Sequence, residues 1–122
     1  MSYHHQTKPI SIPVPGGKTI QEHFGIPSSG SRDISIAQMI APSGWGEPFQ
    51  TPNFDEYTLM VSGQKQIEIE DKIVILKAGE SIKIERGTRV RYSNPFPEDA
   101  EYWSICTPAF TLDGVKREEE KQ

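Results

Sequence analysis

Short segments in which apolar and polar side chains alternate run through most of the chain. Ile34, Ile36 and Ile40, for example, all fall on even-numbered positions of one segment. A period of two is typical of a β-strand that buries one face. The alternation and the short apolar runs predict strands at 33–41, 56–62, 65–70, 73–77, 81–85, 88–93 and 101–107.

Glycine and proline separate the predicted strands. The chain of 122 residues contains 10 of each, which places a turn-favouring residue about every six positions. About seven or eight short strands joined by turns are typical of an all-β sandwich or barrel. A length of 122 residues suits a single domain.

Composition and charge narrow the classes of function. The 13 Lys and Arg against 17 Asp and Glu give a net charge of -4, whereas nucleic-acid binding needs an excess of cations. No apolar run approaches the roughly 20 residues that span a bilayer, and residues 1–9 lack the apolar segment of a signal peptide. Cys106 is the single cysteine, so a reducing cytoplasm is the expected location. We expect neither a nucleic-acid nor a membrane partner.

The glycines of the middle section follow two fixed spacings. The first is Gly44-x5-Gln50-x-Pro52-x3-Glu56-x6-Gly63, and the second, further along the chain, is Gly79-x5-Glu85-x-Gly87-x2-Val90-x3-Asn94. They resemble the two motifs of the cupin family, G-x5-H-x-H-x3or4-E-x6-G and G-x5-P-x-G-x2-H-x3-N. The glycines lie between predicted strands, where a tight turn often requires a positive φ.

The resemblance implies a fold and a domain organisation. Cupins form an all-β jelly-roll barrel, also described as a double-stranded β-helix, and the motifs here cover residues 44–94. We therefore expect a small single-domain, RmlC-like cupin with its barrel over residues 33–112. An N-terminal arm and cap over residues 1–32 and a charged tail over residues 113–122 would flank the barrel.

The resemblance also implies four positions at which metal ligands are expected. Cupins commonly bind a divalent metal through three His and one Glu, and the equivalent positions here are Gln50, Pro52, Glu56 and Val90. Only the Glu is retained, and transition metals favour imidazole or thiolate donors. Two expectations follow: either no cofactor, or an unidentified divalent metal held by an unusual set made of Glu56, Gln50 and His23.

Alternation assigns faces around the expected barrel lumen. If Glu56 faces inward, as its family equivalent does, Thr58 and Met60 face inward too. Val90 and Tyr92 share one face of a later strand. The candidate catalytic residues are Glu56 and Tyr92, and the candidate ligand-binding residues are Gln38, Trp45, Gln50, Thr58, Met60 and Val90.

The inner face of the last predicted strand is left open by the sequence. Tyr102, Ser104 and Cys106 share one face, and Trp103 and Ile105 share the other. Both sets contain a large apolar side chain, so alternation alone does not decide which set faces the lumen.

The resemblance and the candidate site residues together predict two main functions. The first is a cupin that binds a small organic ligand in its barrel without the three-histidine metal site. The alternative is an enzyme of the isomerase, epimerase, decarboxylase or dioxygenase type, acting on a sugar or small acid. In that enzyme Glu56 would serve as acid or base, with Tyr92 or His23 assisting, or as a metal ligand.

A homodimer is also expected. Tyr57, Leu59 and Val61 form the opposite face of the strand that carries Glu56, and this face is too apolar to be left in water. Either the N-terminal arm or another subunit would cover this face. Cupins commonly dimerise through such faces, and a twofold dimer would place the same patch against itself.

Overall fold

The computed structural model describes residues 2–118, which form mainly antiparallel β-strands. Two helices of four residues each, α1 and α2, lie outside the sheets. In chain order the elements are β1 (Ile10–Ser11), β2 (Thr19–Phe24), α1 (Ile26–Ser29), β3 (Ser35–Ala41), β4 (Asp55–Ser62), β5 (Gln64–Ile69), β6 (Lys72–Lys77), β7 (Ser81–Ile84), β8 (Val90–Ser93), β9 (Ala100–Thr107) and α2 (Leu112–Val115).

The strands form two sheets that face each other. The larger sheet has six strands in the order β1-β2-β3-β9-β4-β7, and the smaller has the order β6-β5-β8. Isolated bridges from Gly46 to Ser93 and from Gln50 to Val90 extend the smaller sheet by the segment that precedes β4. Non-consecutive neighbours in both sheets are typical of a jelly roll. The expected all-β jelly-roll fold is therefore confirmed.

The seven predicted strands are present with bounds shifted by one or two residues. The structure adds β1 and shows that residues 19–24 are a full strand, which pairs with β3 through Gln21 and Gln38. The large sheet thus extends into the segment interpreted as an arm. Residues 26–29 of the same segment form α1. In the tail, Glu118 forms an exposed ion pair with Arg89, and residues 119–122 lie outside the described residues.

The motif glycines have the predicted backbone conformation. Gly44, Gly63, Gly79 and Gly87 have φ values of 85°, 74°, 84° and 82°. At Gly63 the constraint is also steric, because a β-carbon would lie 2.2 Å from the backbone oxygen of Asp99. A side chain at this turn would therefore be opposed by both the backbone conformation and the neighbouring loop.

Asn94, the last residue of the second motif, connects the loop between β8 and β9 to the end of β3. Its side-chain amide donates hydrogen bonds to the carbonyl oxygens of Ala41 at 3.0 Å and Glu98 at 2.8 Å. Its side-chain oxygen accepts from the backbone N–H of Phe96 at 3.1 Å. The residue is fully buried, so these bonds satisfy a polar group that would otherwise be costly to bury.

The hydrophobic core fills one end of the space between the sheets. Ile67 from the small sheet and Met60 from the large sheet are both buried there. The other members of this cluster are Ala41, Trp45, Leu76, Ile84, Val90, Tyr92, Ala100 and Tyr102. The opposite end is not filled and contains the cavity described below. Within residues 2–118, no helix is long and apolar enough to cross a membrane.

Candidate functional site

A cavity of about 390 Å³ lies between the sheets at the end of the barrel away from the packed core. Its wall is mostly apolar, with a few polar and charged side chains. Strands of both sheets contribute to it, and the segments before β2 and around the two short helices complete it. Its polar and charged lining residues include Lys18, Glu22, Glu47, Gln50, Glu56, Lys65, Tyr92, Ser104, Cys106 and Arg117.

Glu56 is held in the cavity wall by two hydroxyl donors. The residue opens the inward face of β4, where it pairs with Cys106 of β9 and Ile84 of β7. Its Oε1 accepts a hydrogen bond from the Tyr92 hydroxyl at 2.9 Å, and its Oε2 accepts one from the Ser104 hydroxyl. Hydrogen bonds to both oxygens fix the orientation of the carboxyl group in the cavity wall.

Lys65 brings a primary amine into the same cavity. It is 2% exposed and lies on β5, next to the buried Ile67 position of the same face. Its Nζ lies 4.1 Å from the centroid of the Tyr92 ring and 3.8 Å from that of Tyr102. Burial and, to a smaller extent, the nearby Lys18 lower the pKa of Lys65 to about 7, while Glu56 opposes the shift. The amine is thus divided between its charged and neutral forms near neutral pH.

Lys18 is the second amine of the cavity. It precedes β2, and its Nζ lies 4.4 Å from the Trp45 ring centroid and 5.7 Å from that of Tyr102. Burial lowers the pKa of Lys18, and the carboxylates of Glu47 and Glu56 partly offset that effect. None of the four ion pairs within residues 2–118 involves Lys18 or Lys65.

Arg117 closes one side of the cavity from the segment after α2. Its guanidinium donates to Gln50 Oε1 at 3.2 Å and to Glu47 at 3.3 Å. The backbone supports this position, because Gln50 and Arg117 also form a β-bridge. The guanidinium is therefore already partnered, in contrast to the two lysine amines.

The structure brings together three of the residues that the sequence nominated. Gln50, Glu56 and Tyr92 all line the cavity. It also resolves the open question about the last strand, because Ser104 and Cys106 face the cavity. Burial raises the pKa of the Cys106 thiol well above its usual range, so this sulfur is a neutral, poorly nucleophilic part of the wall.

Four other nominated residues are buried but do not line the cavity. Trp45, Met60 and Val90 belong to the packed core, and Thr58 is 1% exposed beside it. Thr58 and Met60 do share the inner face with Glu56, as alternation predicted. They lie further along β4, where the sheets are in contact, so they are not available to a ligand in this cavity.

Gln38 and His23 are placed away from the cavity. The Gln38 amide donates to Glu101 at 2.9 Å. The His23 ring packs against Trp103, with 5.1 Å between ring centroids, whereas the adjacent Glu22 lines the cavity. Successive residues of a strand point to opposite faces. Gln50, Glu56 and His23, the unusual metal-ligand set expected above, are therefore not brought together.

The residues present do not fit the metal site that the family resemblance implies. Of the four equivalent positions, Pro52 and Val90 carry no donor atom, and Glu56 supplies the one carboxylate. Two lysine side chains share the cavity with that carboxylate, and their positive charge opposes cation binding. Among residues 2–118, no cluster of three or more His, Cys, Asp or Glu could hold a metal ion.

Lys18 and Lys65 were not nominated from the sequence. A signal existed for Lys65, because it occupies the same alternating positions as Ile67 and Ile69 in the predicted strand. Lysine is almost never fully buried unless paired, so the residue type indicates exposure where the period indicates burial. Lys18 follows two glycines in an irregular segment, where no periodicity indicates its direction.

Comparison with known proteins identifies the family. The cupin domain family matches residues 37–106, more than half of the chain. Endoribonuclease YbeY of Myxococcus xanthus (strain DK1622) is 40% identical over 99 residues. That match covers 81% of this chain but only 34% of the relative, so it shows a related segment within a longer protein.

Solved structures of low sequence identity share the fold. A variant of oxalate decarboxylase from Bacillus subtilis has a TM-score of 0.78 at 14% identity, covering 92% of this chain and 31% of that one. An RmlC-like cupin from Shewanella frigidimarina NCIMB 400 has a TM-score of 0.72 at 14% identity, covering 89% of this chain and 92% of that one. From the motif spacing, the two-sheet topology and these matches together, we conclude that the chain belongs to the cupin family.

Proposed function

We propose that this cupin binds a small organic anion in its barrel and does so without a metal ion. The observation that carries the proposal is the pair of lysine amines, Lys18 and Lys65, that line an otherwise mostly apolar cavity without an ion-pair partner among residues 2–118. Buried cations are normally paired. A carboxylate ligand would supply the missing partner.

The size and lining of the cavity support a small ligand. Its volume of about 390 Å³ lies near the lower end of the range of about 300–1,000 Å³ for small-molecule sites. The apolar wall would hold the carbon skeleton, while the amines and the Gln50–Arg117 pair would orient polar groups. Few polar groups in a mostly apolar wall are the usual design of such sites.

The test is a comparison of a charged and a neutral probe of the same shape. We expect calorimetry to detect binding of lactate and not of lactamide. Lys18→Met should weaken lactate binding about tenfold or more, because a hydrogen bond to a charged group contributes roughly 1.5–3 kcal/mol. Lys83→Met, which changes an exposed lysine on β7, is the matched control. Equal binding of acid and amide, or no binding of any small acid tested, would refute the proposal.

A second candidate function is proton transfer on the bound molecule. The observation that favours it is the hydrogen-bonded group of Glu56, Tyr92 and Ser104 in the cavity wall, since a positioned carboxylate is a common general acid or base. An isomerase, epimerase or decarboxylase acting on a sugar or small acid would use it in this way. Glu56→Gln should then abolish turnover while preserving the fold, whereas in a binding protein it should change affinity only.

We also propose that the protein forms a homodimer through the outer face of the six-stranded sheet. Leu59 and Val61 are 43% and 49% exposed on β4. Trp103 and Ile105 of β9 pair with Leu59 and Tyr57 and extend the same apolar face. A contiguous exposed apolar patch is typical of a protein interface.

A further inference from the structure

We propose that Lys65 is a nucleophile that forms an imine with a carbonyl-bearing acid bound in the cavity. The inference rests on the proposed function, because it requires an anion to be held beside the amine. It names the ligand class more narrowly: a small 2-oxo acid, in which a carbonyl adjoins the carboxylate.

The position of Lys65 supports the proposal. The side chain lines the cavity and is 2% exposed. It forms no ion pair among residues 2–118, and its near neighbours are the faces of the Tyr92 and Tyr102 rings. A lysine amine that is desolvated beside a second cation is the arrangement used for carbonyl nucleophiles.

Lys18 is the group that would hold the carboxylate. Both amines lie against the same Tyr102 ring, with Nζ at 3.8 Å from its centroid for Lys65 and 5.7 Å for Lys18. Both amines also line the same cavity, so a ligand that fills this cavity would meet both. An acid bound to Lys18 would have its adjoining carbonyl directed at the second amine, and such positioning makes the addition effectively intramolecular.

The proposed step balances without an oxidant or reductant. The lone pair of the neutral Lys65 amine attacks the carbonyl carbon, the C–N bond forms, and the electrons of the C=O π bond move to oxygen. Both hydrogens of the amine are then transferred to that oxygen, which leaves as water when the C–O bond breaks. Glu56, which accepts from Tyr92 next to Lys65, is the group in place to relay these protons.

The charged groups around Lys65 support a partly neutral amine. Burial and the positive charge of Lys18 lower its pKa to about 7. Glu56 and Glu47 act in the opposite direction, and the shift remains downward despite them. The neutral, nucleophilic form is therefore substantial at neutral pH, whereas an exposed lysine is almost entirely charged there.

The experiment is reductive trapping on the intact protein. Wild-type protein is incubated with pyruvate, reduced with sodium borohydride and analysed by peptide mass spectrometry. We expect one reduced adduct per chain, located on Lys65, absent in Lys65→Arg and unchanged in Lys83→Arg. The trapping rate should rise severalfold between pH 6 and 8, and an excess of lactate, which has the carboxylate without the carbonyl, should reduce it.

The outcomes separate the imine from the proposed function. Binding of pyruvate and lactate with no adduct would overturn the imine and leave anion binding in place. Neither binding nor an adduct would overturn both. Adducts spread over exposed lysines, or a rate that rises only above about pH 9 as an ordinary lysine requires, would also overturn the imine. Should Lys65→Arg fail to fold, the peptide map of the wild-type adduct decides the question alone.

Discussion

The Nζ of Lys65 lies 3.8 Å from the centroid of the Tyr102 ring, and the hydroxyl of that tyrosine is buried without a hydrogen-bond partner among residues 2–118. Tyr102 thus contributes its ring to the barrel, and its hydroxyl makes no compensating contact there. Tyr92 contacts the same amine at 4.1 Å but donates its hydroxyl to Glu56. The two tyrosines therefore flank one lysine with different hydrogen-bonding states.

This difference predicts opposite effects of the same substitution. Tyr102→Phe should leave the free energy of unfolding unchanged or raise it by up to about 1 kcal/mol, because it removes an unsatisfied polar group and retains the ring. Tyr92→Phe should lower it by roughly 1–2 kcal/mol, because Glu56 loses a donor. Urea denaturation of both variants measures the difference. Equal destabilisation would show that the Tyr102 hydroxyl has a partner.

The pKa of Lys65 predicts how stability depends on pH. The pKa is about 7 in the folded protein against 10.5 for the ordinary side chain, so between these values the unfolded chain binds a proton that the folded chain does not. The free energy of unfolding should therefore rise with pH, by up to about 1.4 kcal/mol per pH unit from this group. Lys65→Met should remove that contribution, and Lys83→Met should retain it.

The measurement is best confined to about pH 7–8.5. Above that window the raised pKa values of Cys106, Tyr92 and Tyr102 act in the opposite direction, because the folded protein retains their protons. Denaturation curves at several pH values give the slope for each protein. Identical slopes for wild type and Lys65→Met would show that Lys65 has an ordinary pKa in the folded state.

Removal of metal ions should have no effect on this cupin. A bound metal stabilises the folded state by mass action, and the donor set around Glu56 is unsuited to one. We expect the same melting temperature and the same lactate affinity before and after treatment with a chelator. Elemental analysis of protein purified without a metal-affinity tag is the accompanying measurement. A stoichiometric transition metal, or a fall in melting temperature on chelation, would contradict the prediction.

If the protein is a dimer through this face, charged substitutions in the face should lower its mass in solution from that of a dimer to that of a monomer. Replacing Leu59 and Val61 together by Lys should give a monomer, because two charges would enter an apolar twofold interface. Ile73→Lys is a matched control, since Ile73 is 62% exposed on β6 of the smaller sheet. Sedimentation analysis at several concentrations distinguishes the species. A wild-type protein that is monomeric throughout would remove the proposal.

The sequence predicted those parts of the site where a residue both occupies a position of a family motif and lies in a strand with clear alternation of side chains. Glu56 occupies a motif position, and alternation then gave the inward face of β4 correctly. Alternation does not tell how far along a strand the cavity ends, so Thr58 and Met60 were assigned to the ligand although the core encloses them. The depth of the cavity depends on where the two sheets come into contact, and that position is set by side-chain packing.

Lys65 and Lys18 are site residues that the sequence did not identify. The pattern placed Lys65 on a buried face, but the general behaviour of lysine argued for exposure. Burial of such a side chain is stabilised by aromatic rings from β8 and β9, which are distant in sequence. Lys18 lies between a Gly-Gly pair and β2, where direction is set by tertiary contacts with Trp45 and Tyr102.

The cavity wall draws on both ends of the described chain, from Ile12–Val14 near one end to Arg117 near the other. A fragment that retained only the two glycine motifs would keep Glu56, Lys65 and Tyr92 but would lack β3 and β9, the two central strands of the large sheet, and with β9 the Ser104 donor to Glu56. Ligand recognition should consequently require the chain from Ile12 to Arg117 as a whole. A protein divided between β6 and β7 would then regain recognition only if both halves reassembled.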